Sequence, residues 1–548
     1  MKNIKIKIFC APIILLAIIS SCSKKIEEVY KNPNANVRQP IETLLPNIIA
    51  NMCISNTAQG TNYGPQNDGQ YVGRYVQFWV TNTAFNQYDQ MGQTTTNSTA
   101  AVSDIGGSHW GMHYYGMGQN ISRVIKWGTD EKKWDYVGAA YAMRAFGWLG
   151  VTDMHGEVIL KDAFNTSLLV FKYDPQQEIY EEVKRNCRLA IENLNKTGDG
   201  VNAANLASGA AFISNKGDVE KWKKFTYALM ARVFHRTTNK STYQPDSVIF
   251  YANLAANSNA DNTSILFAGG STASTNSFYG PFRGNVGIFR QSRFVADLMS
   301  GVNNAFLGVS DPRAWYILRE NTNGTFKGIR PGIGSPDGLS TNDVPQNFFG
   351  GAGTTTTGSN ATARYIFKDA MPWPLVTAAE MQFLKAEAYY RKGNKTQALA
   401  AYTNGISLNI DMLVSDYSSS VAAARLITPA QKATFIANPA VVPSEANFNL
   451  SYIMLQKYIA LYGHGFMETW ADMRRYHYVD VETGTTRQVY TDFASPSGSN
   501  LFANNNGKLV YRNRPRFNSE FLYNIDALTT IGALALDFHT KEQWFSQP

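Results

Sequence analysis

Aromatic and polar side chains that could bind a sugar are concentrated between residues 71 and 88. A flat aromatic ring stacks on the apolar C–H face of a sugar, while arginine, asparagine or tyrosine side chains form hydrogen bonds with its hydroxyl groups. The segment contains both kinds of group, namely Tyr71, Arg74, Tyr75, Phe78, Trp79, Asn82, Gln87 and Tyr88. Trp79, Asn82, Arg74 and Tyr88 are therefore candidate ligand-binding residues.

The same segment also fits a helix whose aromatic residues face the protein interior. Tyr71, Tyr75, Phe78 and Trp79 fall at positions i, i+4, i+7 and i+8, which share one helical face. Such a face explains Tyr71, Tyr75 and Phe78 as core residues. Trp79 lies at the end of this predicted helix with Asn82 beyond it, so both interpretations stay open for Trp79.

A second candidate segment lies in a glycine-rich loop. Phe278 and Tyr279 precede Gly280-Pro281-Phe282, where no helix or strand that could bury them is expected. These two side chains are therefore predicted to be exposed and to contact a ligand. Phe348-Phe349 and Trp373 are weaker candidates, and Trp373 is predicted to pack against the helix that follows it.

Catalytic and metal-binding patterns are weak in this sequence. Asp153 and Glu157 flank His155-Gly156, but a turn that ends a helix explains this group as well as a catalytic cluster does. His109 and His113 have the spacing of a zinc site on a helix, yet a tryptophan follows His109 where metalloproteases have glutamate. No Gly-x-Ser-x-Gly, phosphate-loop or Cys-x-x-Cys motif occurs. The sequence predicts a non-catalytic protein with no metal or cofactor.

The N-terminus carries an export signal. Lysines within residues 2–7 precede an apolar run of about a dozen residues, too short to cross roughly 30 Å of hydrocarbon as a helix. Small residues then lead into Cys22, which resembles the cysteine of a bacterial lipobox, where the thiol is lipidated and becomes the mature N-terminus. We predict a signal peptide over residues 1–21 and a lipidated tether over 22–40. An ordinary secreted protein with an incidental cysteine is the alternative.

Composition limits the possible partners. The formal net charge of +8 is spread over 548 residues, and no dense basic block follows Lys24-Lys25, so nucleic acid is not an expected partner. Aromatic residues make up 13% of the chain and charged residues only 17%, so many rings must fill a large core. Outside the signal and Cys22, the cysteines are Cys53 and Cys187. They are predicted to be buried thiols, with a disulfide as the alternative.

Hydrophobic periodicity predicts a mainly helical chain. Apolar residues recur at helical spacing from Ile41, from Trp134, after the cap Asp174-Pro175 and from Val219, and again over 377–392, 396–408 and 450–478. Segments 377–392 and 396–408 have small and aromatic residues where two antiparallel helices would pack, and together resemble one tetratricopeptide repeat. Residues 255–370 are rich in Gly, Ser, Thr and Asn, so we expect long loops there, which are often functional.

Several short motifs occur in a specific order along the chain. They are Cys22, Asn32-Pro33-Asn34, Leu44-Leu45-Pro46, Trp110 with Tyr114, Tyr173-Asp174, Ile179-Tyr180, Gly217 to Trp222, Thr377 to Glu387, Gln456 to Tyr462, Trp470 and Arg474-Arg475. In this order and spacing the chain resembles the SusD/RagB family, the surface lipoproteins of Bacteroidetes-type bacteria. The spacing is most similar to the branch called SusD-like 2, and the resemblance covers most of the length.

The resemblance implies a mainly α-helical single domain over residues 41–548, with four tetratricopeptide-type hairpins as a scaffold and loops that carry the ligand site. It also implies an outer-membrane lipoprotein facing the cell exterior. Such proteins capture oligosaccharide, or peptide in some relatives, and deliver it to a SusC-type TonB-dependent barrel. Trp79 with Asn82, and Phe278 with Tyr279, lie in regions comparable to the family's binding loops. A surface glycoside hydrolase and a scaffold that binds a protein segment are the alternatives.

Overall fold

Helices account for most of the regular structure in the computed structural model, which describes residues 38–53, 68–84, 88–92, 106–269, 286–352, 355, 358–497, 501–515 and 518–548. The α-helices are α1 Ile41–Cys53, α2 Asp68–Tyr75, α3 Ser108–Trp110, α4 Gly118–Asp130, α5 Trp134–His155, α6 Gln176–Leu194, α7 Ala203–Gly209, α8 Val219–Arg236, α9 Pro245–Leu254, α10 Arg293–Ser300, α11 Ala314–Ile317, α12 Ala378–Arg391, α13 Lys395–Asp416, α14 Pro429–Ala437, α15 Leu450–Ala460, α16 Phe466–Arg475, α17 Asn518–Tyr523 and α18 Ile525–Ile531. A π-helical stretch, Gly111–Met117, joins α3 to α4. The predicted mainly helical class is confirmed.

Short strands connect distant parts of the described chain in two antiparallel pairs. The strands are β1 Trp79–Thr81, β2 Thr263–Ile265, β3 Phe289–Gln291 and β4 Trp373–Val376. β1 pairs with β3, with Trp79 opposite Gln291, and β2 pairs with β4, with Thr263 opposite Val376. Each pair therefore fastens a segment of the loop-rich middle region to another part of the chain.

Capping residues set the helix boundaries. Asp218 begins α8, because its carboxylate accepts hydrogen bonds from two backbone N–H groups of the first turn. Thr377 and Asn394 cap α12 and α13 in the same way. Gly156 follows the last residue of α5 with a φ of 85°, a backbone region that glycine adopts at little cost. The predicted starts of these helices, and the predicted end of α5, are confirmed.

Two local predictions are wrong. The helix predicted to reach Trp79 ends at Tyr75, because the chain turns at Gln77 with a φ of 61° and enters β1. The Asp174 side chain does not cap α6, although that helix begins where predicted. Its carboxylate instead accepts hydrogen bonds from the backbone N–H groups of residues 160 and 161, both at 2.9 Å.

Pairs of packed helices surround one large cluster of buried apolar side chains. Helix α5 packs on α6, α8 on α9, and α12 on α13. The approach of α13 to α12 is close, since a Cβ atom on Gly405 would lie 2.9 Å from Cζ of Phe383. A Cβ atom on Gly138 of α5 would lie 2.5 Å from Cγ of Leu194 on α6. The close packing of the two helices predicted between residues 377 and 408 is confirmed, and their tetratricopeptide character stays a prediction.

Buried ion pairs also connect the helices. Glu387 of α12 accepts hydrogen bonds from both terminal nitrogens of Arg475 on α16, at 2.7 and 2.9 Å, and lies 2.7 Å from Nε2 of His235 on α8. All three side chains are fully buried. Burial raises the pKa of the Glu387 carboxyl, but Arg475 and His235 outweigh this effect and hold the pKa well below its usual range. A charged carboxylate therefore joins three helices inside the core.

One of the two predicted buried thiols lies within the described residues. Cys187 on α6 is a buried free thiol, as predicted. The side chain of Cys53 and all of residues 1–37, including Cys22, lie outside the described residues. The signal peptide, the tether and the lipidation therefore stay predictions. In the described part of the chain, no helix combines the length and apolar character needed to cross a membrane.

Candidate functional site

Trp79 lies in the hydrophobic core. Its side chain is 0% exposed, and its indole N–H donates a hydrogen bond to the Gly69 carbonyl oxygen at 3.1 Å. The ring stacks on Phe289 with 5.7 Å between ring centroids, and a Cβ atom on Gly73 would lie 2.5 Å from it. Of the two interpretations left open for Trp79, this burial favours the core residue, because a ligand cannot stack on a ring that the core encloses. The predicted contact of Trp79 with a ligand stays a prediction.

The other described candidates of that segment are buried as well. Asn82 is 3% exposed, Arg74 4% and Tyr88 3%. Arg74 donates a hydrogen bond from Nε to a backbone carbonyl oxygen one turn earlier, at 2.6 Å, and burial lowers the pKa of its guanidinium to about 10. The predicted contacts of these side chains with a ligand stay predictions. Phe278 and Tyr279 lie outside the described residues.

The two histidines with zinc-like spacing occupy separate buried environments. His109 contacts the Asp68 carboxylate through Nδ1. The His113 ring lies 4.1 Å from the Trp148 ring, centroid to centroid, and burial lowers the pKa of His113 to about 3. Among the residues that the structure describes, no group of three possible metal ligands occurs. The two rings therefore contact different neighbours, Asp68 for His109 and Trp148 for His113.

Asp153 and Glu157 each bind a different arginine. The Asp153 carboxylate accepts hydrogen bonds from Nε and a terminal nitrogen of Arg236, at 3.0 and 2.8 Å. Glu157 forms an ion pair with Arg512. Glycoside hydrolysis requires two carboxyl groups that face each other across the scissile bond. These two carboxylates serve separate ion pairs beside the turn that ends α5, so the interpretation of this group as a turn is confirmed.

An open cleft lies among the loops of the middle region. Its volume is about 750 Å³, within the range of small-molecule binding sites. Four segments contribute most of its lining residues: 293–302, 310–315, 324–328 and 424–431. The first contains α10, the second leads into α11, and the last ends in α14. Binding residues concentrate on loops of this kind, which a rigid scaffold positions.

Two aromatic side chains stand in this cleft. Trp315 and Phe326 are both partly buried, with 4.8 Å between their ring centroids and 74° between the ring planes. The guanidinium carbon of Arg425 lies 4.1 Å from the centroid of the Trp315 ring. Thr325 and Gln431 add hydroxyl and amide groups to the lining. The cleft therefore combines ring surfaces with polar side chains, the two kinds of group that bind a sugar.

A tight turn positions Phe326. The Asn321 side chain accepts a hydrogen bond at Oδ1 from the backbone N–H of Thr325, at 2.9 Å. Asp343 holds the far side of the turn, because its carboxylate pairs with Nζ of Lys327 at 2.9 Å. Phe326 lies between Thr325 and Lys327, the two residues that these contacts hold. Its ring is thus presented to the cleft by a turn that is fixed on both sides.

Buried polar side chains connect the walls of the cleft. Gln291 of β3 donates a hydrogen bond from Nε2 to the Lys327 carbonyl oxygen, at 2.7 Å, and accepts one at Oε1 from the backbone N–H of Arg319, at 2.8 Å. The hydroxyl of Tyr316 on α11 accepts a hydrogen bond from the backbone N–H of Ile427, at 3.1 Å. Strand β3, the turn with Phe326, helix α11 with Trp315 and the wall with Arg425 are therefore held in one arrangement.

Comparison with known proteins identifies the family. Residues 33–495 match the model of the SusD-like 2 family, which is described as starch-binding and associating with the outer membrane. The chain belongs to the SusD-like 2 family. The resemblance inferred from the ordered motifs is confirmed, and membership makes this SusD-like 2 protein a binding protein rather than an enzyme. No curated protein sequence matches the chain.

Solved structures share the fold of this SusD-like 2 protein. A SusD/RagB family protein from Bacteroides thetaiotaomicron is 20% identical, with a TM-score of 0.64 over 93% of this chain and 99% of that chain. A chitin-binding SusD homolog from Flavobacterium johnsoniae is 19% identical, with a TM-score of 0.63 over 92% and 98%. A SusD homolog from Bacteroides uniformis is 21% identical, with a TM-score of 0.62 over 93% and 99%. At these identities the likeness establishes the fold alone.

Sequence reasoning missed the cleft of this SusD-like 2 protein. Trp315 and Phe326 lie within the region 255–370 that composition marks as loop-rich and functional, but no motif surrounds them. Arg425 comes from the short 3₁₀ turn Ala423–Arg425, well beyond that region. The composition of the loop region was the available signal, and it indicated a region rather than residues.

A second, smaller groove with aromatic side chains lies beside α6 and α8 of the SusD-like 2 protein. Its volume is about 480 Å³, and Trp544 and Phe234 line it. Nζ of Lys240 lies 4.5 Å from the centroid of the Trp544 ring. This groove lies against α6 and α8, whereas α10 and several loop segments line the larger cleft. Trp544 therefore offers a comparison for Trp315 outside the candidate site.

Proposed function

We propose that this protein binds oligosaccharide at the cell surface, in the cleft between Trp315, Phe326 and Arg425. The observation that carries the proposal is the pair of partly buried rings beside polar side chains. The family description names starch, and a homolog of the same fold is a chitin-binding protein, which supports a sugar as the ligand. The cleft therefore replaces the segment around Trp79 as the proposed site.

Ring surfaces and polar groups divide the binding in this proposal. Phe326 and the accessible part of Trp315 contact the C–H face of a sugar, while Thr325 and Gln431 form hydrogen bonds with its hydroxyl groups. The carboxylates that line the cleft are Asp297 and Asp311. Asp311 is bound by an arginine at 2.6 Å, so the two do not form the facing pair that glycoside hydrolysis needs. The bound sugar leaves the site unchanged.

Trp315→Ala and Phe326→Ala are each expected to weaken oligosaccharide binding by about tenfold. An aromatic ring that stacks on a ligand ring contributes roughly 1–3 kcal/mol in the comparable case of nucleic-acid bases. Isothermal titration calorimetry against a panel of neutral oligosaccharides, acidic oligosaccharides and peptides measures the affinities. Circular dichroism of each variant checks that the fold is retained.

Trp544→Ala is the matched control for these variants, because it removes the same side chain from the groove beside α6 and α8. Its affinity for oligosaccharide should equal that of the parent protein. An equal loss in Trp544→Ala, or no loss when Trp315 and Phe326 are both replaced, would place the sugar elsewhere. Binding of peptides alone would favour the second ligand class of the family, and release of hydrolysis products would contradict a non-catalytic protein.

We also propose that a lipid on Cys22 anchors the protein to the outer membrane, where it delivers its ligand to a SusC-type TonB-dependent transporter. The family description of association with the outer membrane supports this, together with the charged start and apolar run before Cys22. Cys22→Ser is expected to abolish incorporation of labelled palmitate and to release the protein from membranes. Copurification of the native protein with a TonB-dependent barrel tests the partner. Palmitate incorporation into Cys22→Ser would contradict lipidation at Cys22. Protection of the native protein from protease added to intact cells would contradict its exposure at the cell surface.

A further inference from the structure

We infer that the oligosaccharide taken by the cleft is acidic and carries carboxylate or sulfate groups. This inference rests on the proposed function, because it names the substrate class of the same cleft. The observation that carries it is the state of Arg425, an exposed cation with no acidic partner among the described residues. The position of Arg425 on the Trp315 ring distinguishes it from the other cations of the cleft.

Both signs of charge line the cleft, and two of these groups, Asp311 and Lys327, form ion pairs within the protein. The charged lining residues are Arg293, Lys327 and Arg425, with Asp297 and Asp311. Asp311 is neutralised by Arg313, which donates from Nε to Oδ1 at 2.9 Å and from a terminal nitrogen to Oδ2 at 2.6 Å. Both side chains of this pair are buried. Asp311 therefore presents little negative charge to a ligand.

The two other cations of the cleft have different surroundings. Lys327 pairs with Asp343 at 2.9 Å. Arg293 and Asp297 lie one turn apart on α10, and burial raises the pKa of the Asp297 carboxyl while the charge of Arg293 opposes that rise. Arg425 differs from Lys327 because its side chain makes no hydrogen bond or ion pair with any residue that the structure describes, and it differs from Arg293 because it lies on the Trp315 ring. Its guanidinium instead makes a cation–π contact with the Trp315 ring.

The contact with Trp315 holds the guanidinium in the cleft without using its donors. A separation of 4.1 Å between the guanidinium carbon and the ring centroid is well inside the range of cation–π attraction. The planar guanidinium carries N–H donors that match paired oxygen atoms of a carboxylate or a sulfate. An acidic sugar can bind these donors while Arg425 stays on Trp315. A neutral sugar must displace Arg425 before it can stack on that face of the indole.

Arg425→Gln is expected to weaken binding of a short oligogalacturonate by about tenfold to a hundredfold, the effect of losing a hydrogen bond between charged groups. The same variant should bind the methyl-esterified form, whose carboxyl groups are neutral, as well as the parent does or better. Affinity of the parent protein for oligogalacturonate should also fall as salt is added, because both charges are accessible to solvent. Isothermal titration calorimetry gives all of these values.

Two further variants separate charge at the site from charge in general. Arg188→Gln removes the same charge from an exposed position on α6, outside the cleft, and should leave the affinity unchanged. Arg425→Lys keeps the charge but loses the planar set of donors, so its affinity should fall between those of the parent and Arg425→Gln. A sulfated oligosaccharide and its desulfated form provide a second matched pair of ligands.

The outcomes distinguish this inference from the proposed function. In one outcome, Arg425→Gln binds the acidic member of either ligand pair more weakly than the parent does, and Arg188→Gln binds it as the parent does. This outcome supports both the acidic ligand and the proposed binding of oligosaccharide in the cleft. Acidic binding that Arg425→Gln leaves intact overturns the role of Arg425. Preferred binding of the neutral members, lost in Trp315→Ala, overturns the acidic assignment and leaves glycan capture standing. Absence of binding by both pairs and by malto- and chito-oligosaccharides overturns both.

Discussion

Glu387→Ala is expected to lower the free energy of unfolding by about 3–5 kcal/mol, the usual cost of removing one partner of a buried ion pair. The substitution leaves the Arg475 guanidinium fully buried without the carboxylate that now accepts two of its hydrogen bonds, at 2.7 and 2.9 Å. It also removes the acceptor of His235 and of the Tyr476 hydroxyl, which lies 2.5 Å from Glu387. Urea unfolding followed by circular dichroism measures the change.

An exposed glutamate provides the control for this prediction. The Glu192 side chain on α6 is 60% exposed and pairs with Lys196 at 2.9 Å. Because water screens such a pair, Glu192→Ala should change the free energy of unfolding by only about 0–1 kcal/mol. A loss of that small size in Glu387→Ala as well would show that Asp472, which also pairs with Arg475 at 2.6 Å, is enough to stabilise the buried guanidinium, and would contradict the prediction.

The stability difference between the parent and Glu387→Ala also depends on pH. Burial raises the pKa of Glu387, but Arg475 and His235 outweigh it, so the pKa in the folded protein lies well below its usual value. A carboxyl group of this kind stabilises the fold fully above its unfolded pKa of about 4.3, and loses that contribution as the pH falls through the folded value. The difference should therefore be constant near neutral pH and should narrow on acidification. A stability difference that widens as the pH falls would contradict this prediction.

The helices could be predicted because their signals are local in the sequence. Gly393 and Asn394 separate α12 from α13, since Gly393 adopts a φ of 77° and Asn394 caps the second helix through its side chain. Asp218 similarly begins α8, whose Trp222, Phe225 and Leu229 are all buried. A cap and an apolar stripe act within a few turns of the chain. These local signals therefore predict the helices independently of how distant segments of the chain pack.

The cleft could not be predicted because its residues meet only through contacts between distant segments. Trp315 is positioned beside Arg425 by the hydrogen bond between the hydroxyl of Tyr316 and the backbone N–H of Ile427. Phe326 depends on Gln291, a buried residue of β3, which holds the carbonyl oxygen of the next residue, Lys327, at 2.7 Å. The two hydrogen bonds join residues that are 111 and 36 positions apart in the sequence. A reading of local spacing therefore identified the loop region but not the site within it.

At Trp79 the local spacing predicted the wrong element, because it extended the helix beyond Tyr75 to Trp79. The intervals from Tyr71 to Trp79 fit a helix, but β1 pairs Trp79 with Gln291, more than two hundred residues away. Gly73 lets the indole lie against α2, since any Cβ atom there would be 2.5 Å from the ring. Pairing with β3 and this close approach outweigh the helical period. The tryptophan that the sequence offered as a ligand platform is for that reason part of the core.

Trp79→Ala is expected to lower the free energy of unfolding by about 3–5 kcal/mol, as for other large aromatic side chains of protein cores. The substitution removes the ring that contacts Phe289, Phe348 and Phe367, whose centroids lie 5.7, 6.4 and 6.2 Å from that of Trp79. It also leaves the Gly69 carbonyl oxygen without its indole donor. Urea unfolding of the purified variant measures the loss.

Oligosaccharide binding then separates a core role for Trp79 from a binding role. A core residue affects stability first, so Trp79→Ala that is still folded should bind oligosaccharide with the affinity of the parent. Trp315→Ala should show the reverse, with weaker binding and a smaller loss of stability, because the Trp315 ring is only partly buried. If instead Trp79→Ala lost affinity at unchanged stability, the indole would have to leave the core to meet the ligand. The two variants are therefore controls for each other. Trp79→Ala should lose stability and keep its affinity for oligosaccharide, whereas Trp315→Ala should lose affinity and keep most of its stability.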